Sequence, residues 1–423
     1  MAFVLGIWLW DHYFGKSQGY PPGTEEIALV KIDRDLRLAD AMEHDPQWLK
    51  WLVGVNDPGT ERANALAALQ KLASEKSISL QGLEAFAIIK AKQDGLPVDE
   101  TFAEWMQGEP VSEFMETSDR LANHQGTWWH AEWIEISEKT TRPAHHWRQS
   151  FGRDSQQLRA RAILVCSTVW LIGLTGLAFI PGTLITLKNG LCTKPHGYGG
   201  AWSLPLGLTV FLVATLAWIG FTLTLELGIH SLPGLHPAFS IFLDSAARVL
   251  PPLIAIGLLF RRPSHAIRVL GLNRPFATKT ILGLFSLLMI LDQILRLSIG
   301  KDSATDPGGG LSAGEAGLWG LAFAVTSACL FAPLAEELLY RGVLFRAGWN
   351  RLGVLPAAIL SSAIFAILHF YNGYGLASVG IFGFSCALLY AATGSLGATI
   401  TLHLLYNSAI KIPEWLIYHG PLG

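Results

Sequence analysis

Chemistry in this sequence concentrates in three polar groupings set within apolar runs. Glu336 and Glu337 stand side by side in LWGLAFAVTSACLFAPLAEELLYRGVLF, with Arg341 four residues beyond the second. Phe365 and His369 follow in SSAIFAILHF, and His403 and Asn407 in ATITLHLLYNSA. A carboxylate in hydrocarbon is costly, so an ionisable residue placed there marks a functional site by default. On a helix Glu337 and Arg341 face each other at four-residue spacing and can neutralise one another. Glu336 points about 100° away and is left without a local partner. An acid so placed suits a general base or acid near neutral pH.

The inventory is a carboxylate, two imidazoles and an amide on three helices that can pack side by side. His403 and Asn407 share a face, and both can donate or accept hydrogen bonds. Glu336 and His369 could activate a water, leaving donors for an oxyanion. Glu336, His369 and His403 could equally hold a divalent metal with an open position. Each piece also has a plain structural reading. A single intramembrane His or Asn often joins helices, Glu337 with Arg341 is a sensible structural ion pair, and Tyr340, Tyr406, Phe365 and Phe370 read as packing. The conjunction favours a site. From the residues alone, a catalytic centre and a proton- or ion-coupled transporter both stay open.

The elements that must position these residues are read from composition. The chain has 423 residues, 51% hydrophobic and 15% charged, well below the roughly 25% charge of soluble domains. Of the 33 acids, 24 lie in residues 1–161, against 17 Lys and Arg, a net of −7; residues 162–423 hold nine acids and 14 basic residues, a net of +5. This divides the chain into an acidic, mostly helical soluble region (1–161) and a polytopic membrane domain (162–423). The fold class is all-α, a membrane helix bundle with an N-terminal helical domain. The charge balance gives no sign of nucleic-acid binding. Cys166, Cys192, Cys329 and Cys386 are scattered, which suggests neither disulfides nor a thiolate zinc site.

In the first region the opening run MAFVLGIWLW is too short for a clear span. Helical spacing runs from about Ile32 to Asp94, broken at Asp57-Pro58-Gly59 and stopping at Gly95 after Lys90 and Lys92. A Trp-rich stretch follows (Trp105, Trp128, Trp129, Trp133), and the region reads as a packing or regulatory appendage, with a protein partner as an open expectation. Eight apolar stretches come next, at about 162–187, 203–228, 239–260, 279–299, 317–340, 354–374, 378–394 and 396–416. Asp244 with Arg248 and Asp292 with Arg296 read as neutralisation within one helix. Pro307-Gly308-Gly309-Gly310 reads as a connector. Arg261, Arg262, Arg268, Arg274 and Lys279 place one loop in the cytosol, as do Arg341, Arg346 and Arg351 for a second. Arg148, Arg153, Arg159 and Arg161 place the N-terminal region there too. An odd number of stretches then separates two cytosolic segments. Either 239–260, with Pro251-Pro252, is re-entrant, or the N-terminal region lies outside and the opening run is an anchor; the first reading is preferred.

EELLYR at 336–341, FAILH at 365–369 and HLLYN at 403–407 together resemble the CPBP family of intramembrane proteases, also described as type II CAAX endopeptidases and the bacteriocin-processing (Abi) family. That pattern is Glu-Glu-x-x-x-Arg, Phe-x-x-x-His and His-x-x-x-Asn on successive membrane helices, and here it is intact and in order. GLNRPF at 271–276 is similar to the cytosolic stretch preceding such cores. The resemblance covers about residues 250–416 and leaves the first 160 unexplained. It implies an integral-membrane endopeptidase in which Glu336, helped by His369, activates water. Glu337 and Arg341 would be the supporting pair, and His403 and Asn407 would steady the oxyanion. It implies a peptide or lipidated-peptide substrate reached from the membrane lipid, and hydrolysis near the cytosolic face of a multi-pass protein of the bacterial inner (plasma) membrane. The family is named as metalloproteases, yet there is no His-Glu-x-x-His motif; action on water without a required cofactor is preferred, with zinc as the alternative. The competing readings are a non-catalytic scaffold or immunity-type protein of the same fold, and a proton-coupled transporter, against which no internal repeat is seen.

Overall fold

A computed structural model describes residues 24–75, 78–95, 126–137, 145–192, 202–230, 237–299, 317–369 and 373–420. The opening run, Trp105, Pro307–Gly310 and Phe370 lie outside them, as do the side chains of Arg148 and Asp244. Among the described residues every regular element is helical. They fall into two compact units, 24–167 with 416–420, and 168–299 with 317–415.

The first unit holds α1 (Thr24–Ala41), α2 (Gln47–Val53), α3 (Pro58–Glu75), α4 (Leu80–Asp94), α5 (Trp128–Ser137) and the start of α6 (His145–Gly176). The helices follow local rules. Pro58 opens α3, where its missing N–H costs nothing. Ser79 caps α4 by accepting from the Gly82 N–H at 3.2 Å, and Gly95 ends it at φ 67°. Apolar residues at three- and four-residue spacing (Ala28, Leu29, Ile32 and Leu36) pack with Leu69, Phe86, Ile89, Trp128 and Trp129. A buried pair ties this core together. Arg37 Nε donates to Asp33 at 2.9 Å, the Trp128 N–H donates to Asp33 at 2.6 Å, and the guanidinium lies 4.0 Å from the Phe151 ring centre. Burial outweighs Arg37 and pushes the Asp33 carboxyl up. Glu84 is raised by burial alone.

The second unit continues with the rest of α6, a 3-10 turn (Leu177–Phe179), α7 (Ile180–Leu191) and α8 (Leu204–His230). α9 (Pro237–Ala247), α10 (Leu250–Leu259), α11 (Pro263–Val269) and α12 (Thr278–Ile299) follow. α13 runs through residues 317–352, then come α14 (Val354–Ile367), α15 (Gly373–Thr393) and α16 (Leu396–Tyr418). Among the described residues, five helices are long and apolar enough to cross a membrane: Phe151–Leu191, Leu204–Leu225, Thr278–Ser298, Ala322–Leu352 and Gly373–Thr393.

Of the eight apolar stretches, 239–260, 354–374 and 396–416 have no counterpart among these five. Stretch 239–260 breaks at Arg248-Val249, ahead of Pro251-Pro252, into helices of 11 and 10 residues, each too short to span. Stretch 354–374 ends as a helix at Ile367, after 14 residues. α16 carries Pro413 and falls outside the five. Its last residues belong to the first unit, where Ile417 packs with Leu38, Leu158 and Ala162.

Charge placement also departs from the loop reading. Arg341 and Arg346 are fully buried, so they are internal ties rather than loop charges. Arg346 Nη1 donates to the Val269 carbonyl at 2.6 Å, which fastens the end of α13 to α11. Gly271, at φ 73°, lets the next turn press against the Gly394 carbonyl, where any Cβ would collide. The exposed Arg261, Arg262, Arg268 and Arg274 therefore gather at the same end of this unit as the exposed Arg351.

Candidate active site

Glu336 closes a five-residue α-helical segment, Ala332–Glu336, between two π-helical stretches of α13, Ser327–Phe331 and Glu337–Phe345. Such widened turns recur at functional sites because they re-aim side chains within one helix. Glu337 points inward and is fully buried. Arg341 Nη1 donates to its Oε1 at 2.7 Å, so the four-residue pairing holds even in the widened helix. Arg341 Nη2 donates to the Gly383 carbonyl of α15 at 2.9 Å, and the guanidinium lies 4.5 Å from the Phe365 ring centre. A Cβ on Gly383 would come within 3.1 Å of that guanidinium, so only glycine leaves this approach unobstructed.

The other polar residues converge on the two acids. His403 Nδ1 lies 2.9 Å from Glu337 Oε1, and its Nε2 lies 3.8 Å from Glu336 Oε2. His369 Nε2 approaches the same Oε2 at 3.9 Å. His369 is not within α14; it sits two residues past the helix end, where Nδ1 is 2.7 Å from the Phe365 carbonyl. A carbonyl only accepts, so that Nδ1 carries the proton. The salt-bridged Glu337 accepts from His403 Nδ1 in the same way. Both rings therefore turn Nε2 towards Glu336. The site is open on one side: Glu336 and His369 side chains are 24% and 26% exposed, against 4% for His403.

Asn407, one turn beyond His403 on α16, is held to α13. Its Nδ2 donates to the Ala328 carbonyl at 2.8 Å, tying α16 to the first π stretch. Phe365 is more than packing, since its ring meets Tyr340, His369 and His403 edge-on as well as Arg341.

A second polar cluster adjoins the site. Asp292 accepts from Tyr374 Oη and from Ser378 Oγ, both at 2.7 Å. These cross-helix hydroxyls, rather than Arg296 one turn away, satisfy the carboxylate, which corrects the reading of an intrahelical pair. Ser378 Oγ lies 3.4 Å from Tyr406 Oη, Tyr406 stacks on Phe382 at 4.7 Å, and Phe382 meets His403 edge-on at 4.7 Å. The four-residue spacing of Tyr374 and Ser378 on α15 was the available signal for a hydroxyl face opposite a lone membrane acid.

With this geometry in place, similarity to known proteins can be read. Residues 318–409, which contain every one of the three motifs, match the family described as type II CAAX prenyl endopeptidase Rce1-like. The site-bearing segment is similar to that family. Within the chain, 85 residues are 31% identical to the "Putative membrane peptidase YdiL" of Bacillus subtilis (strain 168), covering 20% of this chain. The match spans about a third of that relative's length (34%). No solved structure matches. An Rce1-like segment among five apolar helices makes the chain a multi-pass membrane protein.

Proposed function

We propose that the chain is an integral-membrane endopeptidase that hydrolyses a peptide bond with water activated by Glu336, His369 and His403. The observation that carries this is the approach of two imidazole Nε2 atoms to one carboxylate oxygen at 3.8 and 3.9 Å. These separations are too long for direct hydrogen bonds and suit a water about 2.8 Å from Glu336 and from one imidazole, donating one O–H to each. Glu336 takes a proton from that water as its oxygen bonds to the scissile carbonyl carbon. The carbonyl oxygen becomes an oxyanion; on collapse the C–N bond breaks and Glu336 returns the proton to the amine. Glu337, paired with Arg341, holds the His403 ring through Nδ1 so that its Nε2 faces the reacting water. Asn407 uses one N–H on Ala328 O, and its amide has a second to offer the oxyanion.

Zinc is the alternative, with Glu336, His369 and His403 as ligands. The Nδ1–H bonds to Glu337 and Phe365 O are those expected behind metal-bound imidazoles. The spacing fits less well: tetrahedral zinc ligands stand about 3.4 Å apart, and no group of three or more His, Cys, Asp or Glu among the described residues is placed to hold a metal. Water activation by the side chains themselves is the better fit.

The exposed Arg261, Arg262, Arg268, Arg274 and Arg351 support a cytosolic position for their end of the bundle, with the inner (plasma) membrane of a bacterium as the setting. The substrate class is a membrane-proximal peptide, and the family description makes a prenylated C-terminal tail the first to try. The test uses the purified full chain in liposomes with quenched peptides, prenylated and not. Cleavage by wild type, lost in Glu336→Gln and retained after chelation with no bound zinc by elemental analysis, supports the reading. Full activity in Glu336→Gln would remove Glu336 as the base. Folded protein that cleaves no peptide of either kind would favour the scaffold reading.

A further inference from the structure

The α2 helix of the first unit departs at three positions from what a helix facing water shows. In the sequence QWLKWLV, Lys50 is buried, with Nζ 2.8 Å from the Asp57 carboxylate. Trp48 and Trp51 point outward, 64% and 48% exposed. A water-facing helix would bury the indoles and expose the ammonium. Two outward tryptophans one turn apart make an apolar face with polar N–H tips, and such rings concentrate at the headgroup level of a bilayer.

What covers this face follows from its anchorage. Asp45, two residues before α2, is held by Arg159 of α6 through a bidentate pair at 2.6 Å for each bond. Val53 and Val55, at the far end of α2, pack on the cluster that includes Leu158 and Ala162, with Cys166 beside them. Both ends of α2 are thus fastened to the stretch of α6 in which charge gives way to apolar sequence. Arg161 is the last charge before an uncharged run reaching Lys188, and Leu164 just beyond it is 68% exposed. At 1.5 Å per residue, Arg159 lies roughly 5 Å before Ala162, the depth at which arginine side chains snorkel to headgroups.

We infer that α2 is an interfacial membrane foot, in which Trp48 and Trp51 insert among phospholipid headgroups beside the point where α6 enters the bilayer. Lipid is the occupant because both anchors of α2 lie on α6 where its uncharged apolar run begins, with Leu164 exposed just beyond them. The acidic balance of this region, −7 over residues 1–161, points to zwitterionic rather than anionic headgroups.

The test reconstitutes the full chain in phosphatidylcholine vesicles, either plain or brominated near the headgroup or at the chain end. The contribution of α2 is the fluorescence difference between wild type and Trp48→Phe/Trp51→Phe, a conservative pair whose folding is checked by melting. That difference signal should lose roughly half its intensity to lipid brominated near the headgroup, and less to chain-end bromine. It should resist aqueous iodide. Quenching by iodide but not by brominated lipid would overturn the inference by leaving the face in water. Resistance to both quenchers would overturn it too, since protein would then cover the tryptophans. Should the Phe pair misfold, single Trp48→Phe and Trp51→Phe variants supply the same difference.

Discussion

Two buried acid–arginine pairs occur among the described residues, and they are built alike. Asp33–Arg37 in the first unit and Glu337–Arg341 in the second are both four residues apart on a helix. Each guanidinium lies against a phenylalanine ring, at 4.0 and 4.5 Å. The difference is in what completes the carboxylate. A backbone N–H, that of Trp128, closes Asp33. Glu337 is met by the His403 ring, whose far nitrogen faces a second acid. A buried ion pair is thus a structural device in both places; chemistry becomes available only where its third partner is a titratable ring and a neighbouring acid stays open to the solvent side.

The largest effect that tests this contrast is on turnover. Glu336→Gln should lower peptide cleavage about a thousandfold with little change in melting temperature, whereas Asp33→Asn should leave cleavage per folded molecule unchanged. An equal loss in both, measured on folded fractions, would erase the distinction. Next comes stability. Arg341→Met strands the Glu337 charge and should cost about 3–5 kcal/mol, and Arg37→Met should cost a similar amount in its own unit. Denaturation followed by fluorescence would check both, and only the first should also abolish activity.

A smaller effect is expected at Asp292. Its two hydroxyl donors hold α15, which presents Phe382 to His403 and the Gly383 carbonyl to Arg341. Asp292→Asn keeps the shape but loses one acceptor, and should slow turnover about tenfold for roughly 1 kcal/mol of weakened positioning. A pH–rate profile that moves with this variant would separate positioning from plain loss of stability. The smallest effect concerns Glu84. Its carboxyl is raised by burial, so the folded state holds the proton more tightly than the unfolded one. That stability is fully present below the ordinary carboxylate range and fades as pH rises through the raised value. Glu84→Gln should therefore raise the melting temperature at neutral pH and flatten its slope between mildly acidic and neutral conditions.

Local rules made part of this legible. The pairing of Glu337 with Arg341 follows from helix periodicity, and the end of α4 at Gly95 from its capping signal. Sequence also put Glu336, His369 and His403 on one list, because polar residues in apolar helices are few. What it left out depends on neighbours far along the chain. Arg346 reads as a loop charge until the Val269 carbonyl is seen to receive it. Asp292 reads as the partner of Arg296 until α15 supplies two hydroxyls. His403 reads as an isolated polar residue until Glu337, 66 residues away in sequence, is seen to receive its Nδ1.

The π-helical stretches of α13 have a further consequence. A π turn accommodates one residue more than an α turn, so each acts as a spare tooth in a gear. Glu337 meshes inward with His403, while Arg346, just past the second stretch, meshes with a carbonyl at the bundle's end. Forcing this segment to plain α periodicity with every residue kept would turn one contact about 100° from its partner. The hydropathy of the segment would hardly change, yet the two engagements could no longer be kept at once.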